Sequence, residues 1–138
     1  MVRKVLVAAL LLITNAPVWS AEWAIIGTDG DDRLIGTPRT DYFVGGDGAD
    51  VFVINHLSSK PDEIADFEPD DGDTIELTFL ERPRVLYQKE NFSINRKGVV
   101  KIQIGNQERE LVRLNQADLR LELDPRRGRY YLKFSKKF

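Results

Sequence analysis

The sequence predicts an all-β protein, a short parallel β-roll of nonapeptide repeats capped by an antiparallel β-sheet, and three observations predict it. A nine-residue pattern recurs three times without gaps between residues 27 and 53. The C-terminal half reads as short β-prone runs separated by Gly, Asn and Pro turn signals. Between them the charge reverses: residues 21–81 hold 16 Asp and Glu against 3 Lys and Arg, and residues 82–138 hold 6 against 15. The expected organisation is a leader over 1–20, the roll over 21–81 and the basic cap over 82–138.

The leader is read from its layout. Arg3 and Lys4 give a basic start, Val5 to Ile13 is an uninterrupted apolar run, and Thr14 to Pro17 breaks it. Val18 and Ser20 suit cleavage after Ser20, with Ala21 the close alternative, so a secretory signal peptide and a secreted or periplasmic location are expected. The run falls far short of the roughly 20 residues that span a bilayer, and no transmembrane segment is expected in the mature chain. The absence of cysteine excludes disulfides, thiolate metal sites and Cys nucleophiles. A single histidine, His56, leaves little for a zinc site or a His-based catalytic group, and its expected role is at the surface or in packing.

The three repeats are GTDGDDRLI (27–35), GTPRTDYFV (36–44) and GGDGADVFV (45–53). Glycine opens each one, at Gly27, Gly36 and Gly45, and aspartate takes the sixth place, at Asp32, Asp41 and Asp50. A large apolar residue stands eighth, at Leu34, Phe43 and Phe52, and an aliphatic residue ninth. Glycine permits close backbone approach and positive φ, so the first six residues suit a tight turn with inward carbonyls. The last three are β-prone, with the eighth side chain on the face opposite its neighbours. Turn and strand in alternation build an 18-residue coil, and stacked coils put the turn of the first copy against that of the third, Asp32 facing Asp50. Two carboxylates plus turn carbonyls make an oxygen-only cage of the kind calcium takes. Without a cation these carboxylates and the nearby Asp29, Asp31 and Asp47 repel one another.

GGDGADVFV fits the GGxGxDxUx nonapeptide, and the chain here resembles the repeats-in-toxin (RTX) family of haemolysin-type calcium-binding repeats. The resemblance implies Ca2+ as the bound ion, held by Gly27, Thr28, Asp29, Gly30 and Asp32 of the first turn and Gly45, Gly46, Asp47, Gly48 and Asp50 of the third. The first copy departs from the pattern only in Thr28 for the second glycine, and the second departs with Thr37 and Arg39 in place of glycines, which weakens a site at Asp41. DEIADFEPDDGDTIELTF (62–79) resembles the segment that closes the family's rolls, and by that resemblance Asp62, Asp66 and Asp73 help hold another calcium. The N-terminal leader and basic C-terminus depart from the family's export signal. An EF-hand fails on register: a loop begun at Asp29 puts Leu34 where glycine is required and Thr40 where glutamate is.

In the basic half, KIQIGNQERELVRL and LRLELDPRRGRYYLKF read as hairpins, with NFSI as a further strand and Asn115 to Asp118 as a brief helical turn. The expected picture is an antiparallel sheet closing the exposed strand edges of the roll. Its basic residues fall on polar-face positions and turns, which suits a solvated face, an anionic surface or polysaccharide, or the acidic half itself. No nucleic-acid partner is expected. No nucleophile–base arrangement stands out, so the sequence points to a non-catalytic calcium-binding module that folds on meeting calcium outside the cell. The alternative is a periplasmic or surface adaptor that binds an anionic partner through the basic half.

Overall fold

The computed structural model describes residues 8–10, 23–80, 87–126 and 129–137. The protein is all-β, with two single-turn 3-10 segments, Pro69–Asp71 and Lys89–Asn91, as its helical elements among those residues. No helix among them is long and apolar enough to cross a membrane. The leader and the expected boundary at 81/82 lie largely outside the described residues. The exception is the strand β1 (Ala8–Leu10), which falls within the leader and pairs antiparallel with β2 (Trp23–Ile26).

From β2 onward the chain alternates between two ladders. β2, β4 (Tyr42–Val44) and β6 (Asp62–Ile64) pair in parallel in one; β3 (Arg33–Ile35), β5 (Val51–Ile54) and β7 (Thr74–Leu77) pair in parallel in the other. Strand positions of the repeats match one to one, with Leu34 beside Phe52 and Ile25 beside Phe43. The eighth residue of every copy points inward, so Leu34, Phe43 and Phe52 are fully buried between the ladders. The pattern is driven by the usual gain for removing large apolar side chains from water, about 1.5–3 kcal/mol each.

The basic half is not one capping sheet. It divides into two hairpins, each continuing a different ladder. β9 (Val99–Ile104) and β10 (Gln107–Arg113) form one; β10 joins β6 in parallel, and β8 (Phe92–Ile94) pairs with β9 at the far edge. β11 (Leu119–Arg126) and β12 (Arg129–Lys136) form the other, with β12 antiparallel to β7. The split follows from burial: both ladders end in an unpaired edge, and one hairpin covers each. The turn signals act where expected, at Gly98 with φ 81° and Gly105 with φ 60°. Residues 115–118 form no helical turn; they run irregularly, and the Gln116 side-chain amide donates to the Phe67 carbonyl at 2.8 Å.

One apolar core runs through both halves. Phe43, Phe52, Phe67 and Phe134 form a relay of ring contacts at 5.3–6.0 Å that ties the repeats to the last strand. The halves are also joined by charge. Lys136 reaches Glu68 and Asp70 at 3.0 and 3.1 Å, and Arg129 reaches the buried Glu76 at 3.1 Å. Part of the charge reversal is thus internal pairing of an acidic stretch with basic strands.

Candidate metal centre

The alternation of ladders places three turns on one edge of the protein: 27–32, 45–50 and 65–73. The sixth-place aspartates knit them together. The Asp32 N–H donates to Asp50 Oδ1 at 3.0 Å, and the Asp50 N–H donates to Asp73 Oδ1 at 2.9 Å. Asp32, Asp50 and Asp73 thereby form a buried ladder of carboxylates, at most 3% exposed. The stacking is close enough to demand glycine. A Cβ at Gly46 would lie 2.5 Å from the Thr28 carbonyl oxygen, and one at Gly48 would lie 2.6 Å from that of Gly30. Both glycines also have positive φ, 81° and 90°. Asp31 contributes as well, its Oδ1 accepting from the Ala49 N–H at 2.8 Å.

The three carboxylates differ in what they hold. Asp32 is satisfied within its own turn by Thr28, whose N–H donates at 2.6 Å and whose hydroxyl lies at 2.9 Å. Asp73 Oδ2 accepts from the Glu68 N–H at 2.9 Å. Asp50 has neither resource. Gly46 brings no hydroxyl, and its N–H is turned to Asp66, which takes Gly45 N–H on Oδ1 and Gly46 N–H on Oδ2 at 2.8 and 2.9 Å. Asp50 Oδ2 is left buried without a hydrogen-bond partner. Burial pushes its carboxyl up to about 8, the Asp32 N–H opposing and the charges of Asp73, Asp32 and Asp66 adding to the rise. Burial likewise raises Asp73 to about 6, with Asp66 and Asp71 adding.

A buried carboxylate oxygen with no donor, flanked by further carboxylates, wants a proton or a cation. The oxygens of the edge are hard donors of the kind calcium takes: Asp50 Oδ2, the Asp32 and Asp73 carboxylates, and the Thr28 and Gly30 carbonyls that face the third turn. Among the described residues no three acidic or imidazole side chains converge on a single metal-sized point. An ion here would draw on backbone carbonyls of the stacked turns as well as on carboxylates. Set against protein-family models, curated proteins and solved structures, the chain matches none. The likeness to RTX repeats rests on the repeat columns themselves.

The remaining expected ligands separate. Asp29 and Asp47 stand exposed at the tips of their turns. Asp62 opens β6 and Asp66 lies in the turn that follows it, and the two carboxylates bond to different turns of the chain. Asp62 belongs to the other edge, where its Oδ1 accepts from the Asp41 N–H at 2.9 Å; burial raises it to about 7, with the Asp41 charge adding. Asp41 is itself held by the Thr37 N–H and hydroxyl at 2.7 and 2.6 Å, and burial, opposed by those bonds, raises it. Asn55 donates its amide to the Gly36 carbonyl at 2.9 Å, setting a donor where a cation would need acceptors. His56 is exposed.

Sequence reasoning took the threonines of copies one and two as departures from glycine. They instead act alike: each hydroxyl bonds the sixth-place aspartate, and each accepts the N–H two residues on, Gly30 or Arg39, at 3.1 Å. The shared G-T-x-x-x-D of both copies was the signal.

Proposed function

We propose that this chain is an exported, non-catalytic calcium-binding protein of the RTX type, a short β-roll whose stability rises when calcium enters the edge built from turns 27–32, 45–50 and 65–73. The observation that carries the reading is the buried, partnerless Asp50 Oδ2 in the middle of the carboxylate ladder. Calcium would supply positive charge at a point where the fold otherwise holds a proton. Asp50 is the residue with a free oxygen, Asp32 and Asp73 stand on either side of it, and the Thr28 and Gly30 carbonyls face Gly46 and Gly48 of the same turn. Thr28 and Asp66 set this up by satisfying the first turn and withdrawing the Gly46 N–H from Asp50. The other edge, with Asp41 and Asp62 already bonded and Asn55 in place, is not part of the proposed site.

Because the ladder exists only in the folded chain, ion binding and folding are linked, and any affinity for the native state adds to stability by mass action. The test is thermal melting and circular dichroism of the mature protein in chelator and through a calcium titration, with metal content measured on the purified protein. Stabilisation in the micromolar-to-millimolar range is expected. Identical curves with and without calcium would refute the reading, as would unchanged affinity in an Asp32→Ala/Asp50→Ala variant.

A further inference from the structure

The outer face of the sheet ordered β11-β12-β7-β5-β3 carries a second constellation, unrelated to the carboxylate ladder. Across these strands the register places Glu76 beside Tyr131 and Tyr131 beside Asp124, and it places Val51 beside Thr74 and Thr74 beside Lys133. An open groove of about 320 Å³ lies over these rows, with Arg33 at one side and Arg126 and Lys133 at the other.

Two of its carboxylates, Glu76 and Asp124, are each shared by two cations. Glu76, 1% exposed, is gripped by Arg33 through Nε and both contacts of Nη2, and by Arg129 at 3.1 Å. Asp124 is shared by Arg126 at 2.8 Å and Lys133 at 3.0 Å. With Glu122 opposite Lys133 and Arg120 on the same face of β11, five cations stand against three carboxylates, an excess of two positive charges spread between the Glu76 end and the Asp124 end of the groove. The ends are two strand spacings apart, about 10 Å. Between them lies Tyr131, with the Arg126 guanidinium 5.7 Å from its ring centre.

We infer that this groove binds an acidic oligosaccharide, one sugar ring against Tyr131 and acidic groups on the flanking units at the two cationic ends. The aromatic residue between separated charges favours a ring-bearing chain over a compact ion, which would use one end only. Guanidinium groups already positioned by Glu76 and Asp124 suit carboxylate recognition, since little side-chain freedom remains to be lost. The groove is open to solvent, and the short side chains of Val51 and Thr74 are part of its lining. The assignment is independent of the calcium reading, because no groove residue is a candidate ligand.

The test is calorimetric titration of the full chain with a galacturonate trisaccharide, in chelator and in calcium, with maltotriose, inorganic phosphate and anionic phospholipid vesicles as comparison probes. Binding of the galacturonate that falls with added salt is expected, with maltotriose and phosphate at least about tenfold weaker. Arg126→Gln/Lys133→Gln and, separately, Tyr131→Leu should each weaken it about tenfold while the melting temperature stays near that of the parent. Absence of galacturonate binding would overturn the proposal. So would undiminished binding by both variants, equal binding of phosphate, or preference for the vesicles. If the double variant melts early, Lys133→Gln alone supplies the comparison, because Arg126 still pairs with Asp124.

Discussion

Replacing Asp50 by Asn separates the charge of the ladder from its shape. In the metal-free protein at pH 7 the folded chain must either hold a proton on Asp50 or bury its charge. The carboxyl sits at about 8 against 3.8 for the free side chain. The gap between pH 7 and 3.8, at 1.36 kcal/mol per pH unit, gives a penalty of about 4 kcal/mol. Asn places an amide N–H where the partnerless Oδ2 stood, which offsets part of this and leaves about 2 kcal/mol. Asn keeps an oxygen to accept the Asp32 N–H and removes the charge. Asp50→Asn is therefore expected to stabilise the protein in chelator by about 1–2 kcal/mol, a rise in melting temperature of about 3–8 °C for a chain of this size.

In calcium the order should invert. The parent gains about 2.7 kcal/mol at a calcium concentration 100 times the dissociation constant, and the variant, lacking the free carboxylate oxygen, gains little. Paired melts of both proteins in chelator and in millimolar calcium measure the two differences. A variant less stable than the parent in chelator, with the parent's calcium response intact, would show that Asp50 serves packing and that the electrostatic reasoning is wrong.

Other outcomes follow from the same geometry. For Asp73, Asp62 and Asp50 the folded pKa values of about 6, 7 and 8 lie above the free value of 3.8, so the stability these groups contribute is complete below 3.8 and is lost as pH rises through the folded values. Metal-free protein should accordingly weaken in chemical denaturation between about pH 5 and pH 8, and calcium affinity should rise over the same interval as protons are displaced. Gly46→Ala, at φ 81° and 2.5 Å from the Thr28 carbonyl, should cost about 1–3 kcal/mol in urea unfolding, whereas Gly105→Ala, with open space around it, should cost less. Phe52→Ala, at the centre of the aromatic relay, should cost about 3–5 kcal/mol and loosen both halves together in hydrogen exchange.

Much of the fold was legible because the repeat fixes both period and facing. Leu34, Phe43 and Phe52 could be assigned to the core from their shared eighth column, and the stacking of Asp32 on Asp50 followed from counting two repeats per coil. The hairpin at Gly105 and the pairing of β11 with β12 were readable from local turn chemistry, although β11 continues through Asp124 to Arg126, where a turn is expected. Their destination was not readable. Which ladder each hairpin extends depends on long-range burial, and nothing local to residues 99–136 distinguishes the edge of β6 from that of β7. The helical turn at 115–118 failed for a related reason: Gln116 bonds Phe67, 49 residues away. The resemblance of residues 62–79 to a roll-closing segment joins Asp62 and Asp66, yet Asp62 accepts from the Asp41 N–H at one edge and Asp66 from the Gly45 and Gly46 N–H groups at the other.

The candidate site shows the same limit more sharply. Sequence columns treat Asp32, Asp41 and Asp50 as equivalent, and the backbone honours that equivalence, since all three stand at the start of a strand. What distinguishes them is their neighbours in the second column and the stack: Thr28 and Thr37 satisfy the first two, and Asp66 withdraws the Gly46 N–H from the third. A glycine at position 46 thus does two things at once. It permits the positive φ that lets the third turn approach the first, and by lacking a hydroxyl it leaves Asp50 short of a donor. The copy closest to the repeat consensus is in this way the one that cannot satisfy its aspartate from within the protein. The two copies with threonine can. Gly46→Thr would test the point, but it is strained by the positive φ. The reverse change, Thr28→Gly, removes the hydroxyl from Asp32 without that strain. It should lower metal-free stability by about 1 kcal/mol and increase the calcium-dependent gain, because Asp32 would then share the deficit of Asp50. Equal losses in chelator and in calcium would mean that the threonine hydroxyl does not compete with the ion.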